Sequence, residues 1–171
     1  MIVVIDADYN EDTKKGHVAG ILAKTPLDAK ESGIVTGIID HVAEYQPGQF
    51  YKRELRCVEE VFRQVKARKL GKIEMILVDG YADFGTAQAS LGTHVYDEYR
   101  IPVIGIAKNP FRSCVVSNTE VYRGSSEKPL FVTCKGIQHR KAKDIVRKMA
   151  GEYRIPALVK LADKVARDWS L

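Results

Sequence analysis

The chain has 171 residues, enough for one ordinary domain with one sizeable core. Its 45% hydrophobic content and lack of any bilayer-length apolar run exclude a membrane span, and three cysteines at unrelated spacings (Cys57, Cys114, Cys134) fit neither a zinc site nor a disulfide framework, pointing to reduced thiols in the cytoplasm. The net charge of +5 is unevenly divided: residues 1–107 hold 13 Lys+Arg against 16 Asp+Glu, whereas residues 108–148 hold 10 against 3.

The chain enters a strand at once, Ile2 to Asp8, with no basic flank ahead of it, so no signal peptide is expected. Lys14-Lys15-Gly16 makes a turn into a second strand, His17 to Leu22, and a polar stretch from Thr25 to Gly33 leads to a third, Ile34 to Ile39. No room for a helix separates these three, so they pair as an antiparallel meander. From Tyr51 the period changes: Tyr51, Leu55, Val58, Phe62 and Val65 mark one helical face. Gly71-Lys72 ends that unit and Ile73 to Val78 is a strand. A helix over about 87–99 and a strand from Val103 to Ala107 complete a right-handed parallel crossover. Weak alternation over 111–124 predicts a hairpin turning at Ser117-Asn118, Leu130 to Cys134 is another short strand, and helices at Lys141 to Met149 and Leu158 to Trp169 close the chain around Pro156. The sum is an α/β mixed sheet flanked by helices, and without a glycine-rich loop after the first strand it is not a doubly wound nucleotide-binding fold.

Three acids sit where this pattern predicts burial. Asp6 ends the apolar run from Ile2, Asp79 ends the run from Met75, and Glu54 lies at the edge of the helical stripe near the helix start. Buried carboxylates are costly unless paired, protonated or bound to a metal. Two strand-end aspartates and a helical glutamate can converge on a divalent cation, and hard oxygen ligands favour Mg²⁺ or Mn²⁺ with positions open for phosphate. Lys108 follows a strand parallel to the one ending in Asp79 and is placed to contact a phosphate beside that metal. An acidic constellation beside the basic segment 108–148 suits metal-dependent phosphodiester chemistry on nucleic acid.

Several segments, in order, resemble endonuclease V, whose fold is ribonuclease H-like: Asp6-Ala7-Asp8-Tyr9, Tyr45-Gln46-Pro47-Gly48, Lys52-Arg53-Glu54, Val78-Asp79-Gly80, Pro102 through Lys108, and Tyr153-Arg154-Ile155-Pro156 with Lys160-Leu161-Ala162-Asp163. The resemblance covers nearly the whole chain, 1–171, as a single domain, and places His94 on a family histidine. It implies a metal-dependent endonuclease, using Mg²⁺ with Mn²⁺ as substitute, that cuts DNA or RNA near a deaminated base such as inosine. It implies Asp6, Glu54 and Asp79 as metal ligands, Glu54 directly or through water, with Lys108 beside the phosphate. Tyr45 resembles the family's wedge, Pro47 and Gly48 belong to that loop, and Gly80 with Tyr81 lines the base pocket.

The sequence departs from the family at four places. Tyr81 stands where the family has histidine, Glu44 where it has proline, and Ile137 where it has the late histidine; no leading helix precedes the first strand, which points to a shortened, divergent member. His139 is then the candidate proton donor or outer ligand, with Asp144 an alternative fourth group. Tyr122 and Arg123 are candidate backbone contacts, and His17 and His41, lacking ligand spacing, read as surface or strand residues. Two other readings stay open: a ribonuclease H-like nuclease with a different substrate, and a nucleic-acid-binding relative without catalysis. The sequence leaves the oligomeric state open, a monomer being compatible with it.

Overall fold

A computed structural model describes residues 1–42, 51–86 and 90–170. The nucleic-acid contacts expected at Tyr45, Pro47 and Gly48, and the departure at Glu44, lie outside the described residues.

Apolar residues on both faces set the centre of the sheet. Strands β1 (Ile2–Asn10), β2 (Lys15–Ala23) and β3 (Gly33–Ile39) form the expected antiparallel meander, with Ile5 opposite Gly20 and Ala19 opposite Thr36. Helix α1 (Tyr51–Ala67) returns the chain to β4 (Met75–Val78), which lies parallel to β1 with Ile5 beside Val78. Helix α2 (Leu91–Tyr99) leads to β5 (Val103–Ala107), parallel to β4. Strands β6 (Glu120–Val121) and β7 (Leu130–Lys135) follow, then helices α3 (His139–Lys148) and α4 (Ala157–Ala166). The seven strands run in the order β3-β2-β1-β4-β5-β7-β6.

The period-2 alternation of β1 divides the core into two layers. Val3 and Ile5 pack with Val58 and Val61 of α1 and Leu91 and Val95 of α2. Ile2 and Val4 pack on the other face with Ala142 and Val146 of α3 and Leu158 and Ala162 of α4. Helix α1 is rotated from the expected face. Cys57, Val58, Val61 and Val65 are buried, while Tyr51, Leu55 and Phe62 pack at the flanks. Gly20 is the cause: a Cβ there would stand 2.8 Å from Val61 Cγ1, so the helix settles onto the missing side chain.

The predicted hairpin over 111–124 does not form. Val115 N–H donates to Phe84 O (2.8 Å) and Phe111 N–H to the Tyr81 hydroxyl (3.0 Å), so this backbone bonds to the loop after β4. Within that stretch β6 alone is a strand, and it pairs with β7 (Val121 opposite Leu130). Helix α2 begins at Leu91 behind the cap Ser90, whose hydroxyl accepts from Thr93 N–H (3.3 Å). Helix α4 ends at Ala166, leaving Trp169 outside it. No helix among the described residues is long and apolar enough to cross a membrane.

Candidate active site

Strand register creates the site. Pairing of Ile5 with Val78 is the last of the β1–β4 register and brings Asp6, midway along β1, beside Asp79, just past the C-terminal end of β4, where the sheet opens a crevice. Ala7 N–H donates to Asp6 Oδ1 (2.8 Å) and fixes that carboxylate. Helix α4 buries Leu158, Val159, Ala162 and Val165 and thereby carries Asp163 to the same place. Carboxylate oxygens of Asp6, Asp79 and Asp163 all lie within 4.8 Å of one another. Glu54 arrives from the first turn of α1, on the opposite face of the sheet, and lines the same cleft of about 270 Å³ together with Asp8, Lys108 and Arg167.

Burial, reinforced by the neighbouring Asp79, pushes the Asp6 carboxyl up to about 7, although the Ala7 N–H and Lys108 pull the other way. Burial, then the charges of Asp6 and Asp79, push Glu54 up to about 8. Lys108 Nζ donates to Asp79 Oδ2 (2.5 Å) and Asp163 Oδ1 (3.4 Å). Burial opposes its charge, but these carboxylates outweigh it and hold the amine above its ordinary range. Arg167 Nη2 reaches Asp163 Oδ1 at 3.0 Å from the outside. The donor set is therefore hard oxygen, crowded and short of positive charge, the chemistry that fits a small divalent cation.

The loops around the acids are braced by packing. Gly105 in β5 has no room for a side chain: a Cβ would lie 2.3 Å from Ala82 N and 2.6 Å from Gly80 O. The segment 80–82 thus rests on the strand backbone, and Thr133 Oγ1 accepts from Ala82 N–H (2.9 Å) to hold it there. Gly80 has φ +146°, a conformation L side chains rarely adopt, and sits close to Glu54. Arg154 donates to the carbonyls of Lys108 and Pro129 and fixes the backbone from which Lys108 projects.

Of the sequence candidates, Asp6, Asp79, Glu54 and Lys108 meet in the cleft, and Gly80 lies against Glu54. His139 does not join them. Its Nε2 is 2.8 Å from Val132 O at the start of α3, and it is not among the residues lining the cleft. Asp144 pairs with Arg147 (2.6 Å) on the same helix. The group standing where a fourth ligand was sought is Asp163. Its position at the edge of α4's buried face, beside Ala162, is the signal that could have found it. Tyr81 bonds Asn109 O (2.9 Å) and Phe111 N–H and stacks among Phe84 and Phe111 outside the cleft. Arg123 is buried and gives its guanidinium to carbonyls between Arg147 and Arg154, so it is unavailable to a nucleic-acid backbone. His17, expected at a surface or in a strand, is in β2 and buried; His94 stacks on Tyr51 (4.6 Å).

The family model for endonuclease V matches residues 1–124. No curated protein matches the chain. Among solved structures, Ciona intestinalis endonuclease V, in complex with a 23mer DNA containing an inosine followed by a ribo-adenosine, is similar at 20% identity with a TM-score of 0.80, covering 97% of this chain and 83% of that one. The catalytic domain of human endonuclease V is similar at 17% identity and TM-score 0.80, over 98% and 80% of the two chains. Endonuclease V from Streptomyces avermitilis is similar at 22% and 0.76, over 97% and 79%. The fold is therefore the ribonuclease H-like α/β fold that the resemblance implied. With more than half of its length matched by one family model, the chain belongs to the endonuclease V family, a family of nucleases.

Proposed function

We propose that residues 1–171 act as a single endonuclease V-like domain that hydrolyses a phosphodiester near deaminated bases, inosine above all, in DNA or RNA, in the cytoplasm. The observation that carries this reading is the convergence of Asp6, Asp79 and Asp163 within 4.8 Å, with Glu54 and Lys108 in the same cleft. The three aspartates, with Glu54 directly or through water, would hold Mg²⁺ or, as a substitute, Mn²⁺. Such a cation supplies charge neutralisation at the scissile phosphate and a lower pKa for the attacking water. The chain's own groups do the rest. Lys108 Nζ, tied to Asp79, lies where it can meet a phosphate oxygen. Glu54, pushed up to about 8 by burial and by the charges of Asp6 and Asp79 in the metal-free protein, would give up its proton as the cation binds. A displaced base, as the resemblance implies, would rest against Gly80, which lies beside Glu54 without a side chain. The Ciona structure containing inosine supports the choice of substrate by family analogy.

The test is cleavage of end-labelled DNA and RNA strands carrying one inosine, with Mg²⁺ or Mn²⁺ and with chelator. Metal-dependent cutting near the inosine, abolished by Asp6→Asn and Asp79→Asn, is the expected result. No cutting of any strand by the wild-type protein would overturn it. A second reading, a nuclease of the same fold with a different substrate, is favoured by Tyr81, whose hydroxyl is already committed to Asn109 and Phe111. Cleavage that needs the same acids but ignores inosine would select it.

A further inference from the structure

The segment following α4 lies beyond residues 1–124, the part matched by the family model, and it carries a cation and an aromatic ring two residues apart. Arg167 lines the acid cleft and bonds Asp163 Oδ1 (3.0 Å), yet its side chain is 69% exposed. Most of its five N–H donors therefore still face solvent. Trp169, the chain's single tryptophan, donates its indole N–H to Asp8 Oδ2 (2.7 Å), and Asp8 also lines the cleft. The two side chains thus hang on different acids of one site.

The indole is held from behind. His17, opposite Asp8 in the β1–β2 register, is 1% exposed and anchored through Nδ1 to Ala166 O (2.9 Å). Its ring lies 5.6 Å from that of Trp169, tilted by 42°. A buried, anchored imidazole on one side and a hydrogen-bonded N–H on the edge fix the indole, while 36% of the residue stays exposed. A tryptophan placed for packing alone would be buried more completely. A guanidinium with free donors beside a rigid, exposed ring is the pair that holds one nucleotide: the cation on its phosphate, the ring on its base.

Building on the nuclease reading above, we propose that Arg167 and Trp169 form a nucleotide-holding element at the rim of the cleft, Arg167 meeting the phosphate next to the scissile one and Trp169 stacking on the adjoining base. Stacking uses the π-face that every base has, so this element contributes affinity and position without choosing the base. The ordering of the indole by His17 and Asp8 in the free protein lowers the entropy lost on binding.

A single tryptophan makes the test direct. A short single-stranded oligodeoxynucleotide carrying one hypoxanthine is titrated with Ca²⁺ in place of Mg²⁺, while tryptophan emission and the anisotropy of an end-labelled copy are followed. Saturable quenching with the same midpoint as the anisotropy is expected. Trp169→Ala should weaken binding roughly tenfold, the range of one base–aromatic stack, and Trp169→Phe should recover most of it. In turnover, the loss should fall on KM more than on kcat. Binding by anisotropy that leaves the emission of the wild-type protein unchanged would overturn the proposal while leaving the nuclease reading intact. An alanine variant that is folded by circular dichroism and binds like wild type would do the same. Failure of any oligonucleotide to bind would remove both.

Discussion

Asp6, Glu54, Asp79 and Asp163 share a small cleft with two cations, and the metal-free protein bears the cost of that crowding. The folded-state pKa values of Asp6 and Glu54, about 7 and about 8, lie above the ordinary values of 3.8 and 4.5. Between those limits the native chain binds more protons than the unfolded one, so stability falls as pH rises. As far as these groups are concerned, the metal-free protein should therefore melt at its highest temperature below about pH 4, and lose several degrees as pH rises from 4 to 8. Glu54→Gln should flatten that slope, which a series of calorimetric scans in chelator would show. Affinity for the proposed cation should run the other way, because ligation requires deprotonated carboxylates. Mn²⁺ binding by calorimetry should strengthen across the same pH range. Asp163→Asn should lower cleavage roughly 100-fold or more, equivalent to about 2.7 kcal/mol, whereas His139→Ala should leave it near wild type. Asp6 and Asp79 were legible because each follows an uninterrupted apolar run. Asp163 entered only as the end of a family-like segment and was given no role, because a helical aspartate among Lys160 and Lys164 reads as solvated unless its place beside the buried Ala162 is weighed.

The elements hold these residues through backbone contacts more than through side-chain chemistry. Segment 80–82 rests directly on Gly105. A methyl group there would collide with Ala82 N, and no flexible side chain stands in between to give way. Gly105→Ala should thus displace Asp79 and Gly80 together, costing about 1–3 kcal/mol of stability and more in activity than in melting temperature. Arg123 has the matching role on the other layer. Its guanidinium donates to Tyr153 O (3.1 Å), Arg154 O (3.2 Å) and Gly151 O (3.1 Å), and to Met149 O, tying down the link from α3 to α4. Arg123→Ala leaves those carbonyls without a donor and should cost about 3 kcal/mol, or about 6–12 °C in a chain of this size. Differential scanning fluorimetry would measure it. The order and type of the elements were readable from period alone, since the change from 2 to 3.6 at Tyr51 is sharp. The failures are long-range. The face of α1 depends on Gly20 in another element, and residues 111–116 bond to the loop after β4, which no local alternation encodes.

Across the whole molecule, charge is sorted along the sheet. The acids lie where β1, β4 and α4 meet, while residues 108–148, with 10 Lys+Arg against 3 Asp+Glu, build β6, β7 and α3 on the β5 side of that cleft. Packing explains how α3 can be so basic: Ala142 and Val146 face the core, and the opposite side is left to solvent. On it, Arg140, Lys141 and Lys148 are exposed, and among the described residues their side chains find no ion pair or hydrogen bond, unlike Arg147, which is spent on Asp144. A polyanion engaged at the acids would be repelled by them without a cation and drawn toward this side of the sheet. Its path should therefore run from the cleft over β5 and β7 toward α3. Each phosphate neutralised by such a residue releases condensed counterion, contributing about 0.7 to the slope of log K against log salt for a single strand and about 0.9 for a duplex. Combining Arg140→Glu, Lys141→Glu and Lys148→Glu should then reduce that slope by about 2 for oligonucleotides long enough to reach α3. Short oligonucleotides confined to the cleft should bind the variant and the wild type with nearly the same slope. Anisotropy titrations over a salt series, with both lengths, separate the two cases. An unchanged slope for the long strand would mean that the basic helix is a solvated face and that the substrate leaves the cleft in another direction.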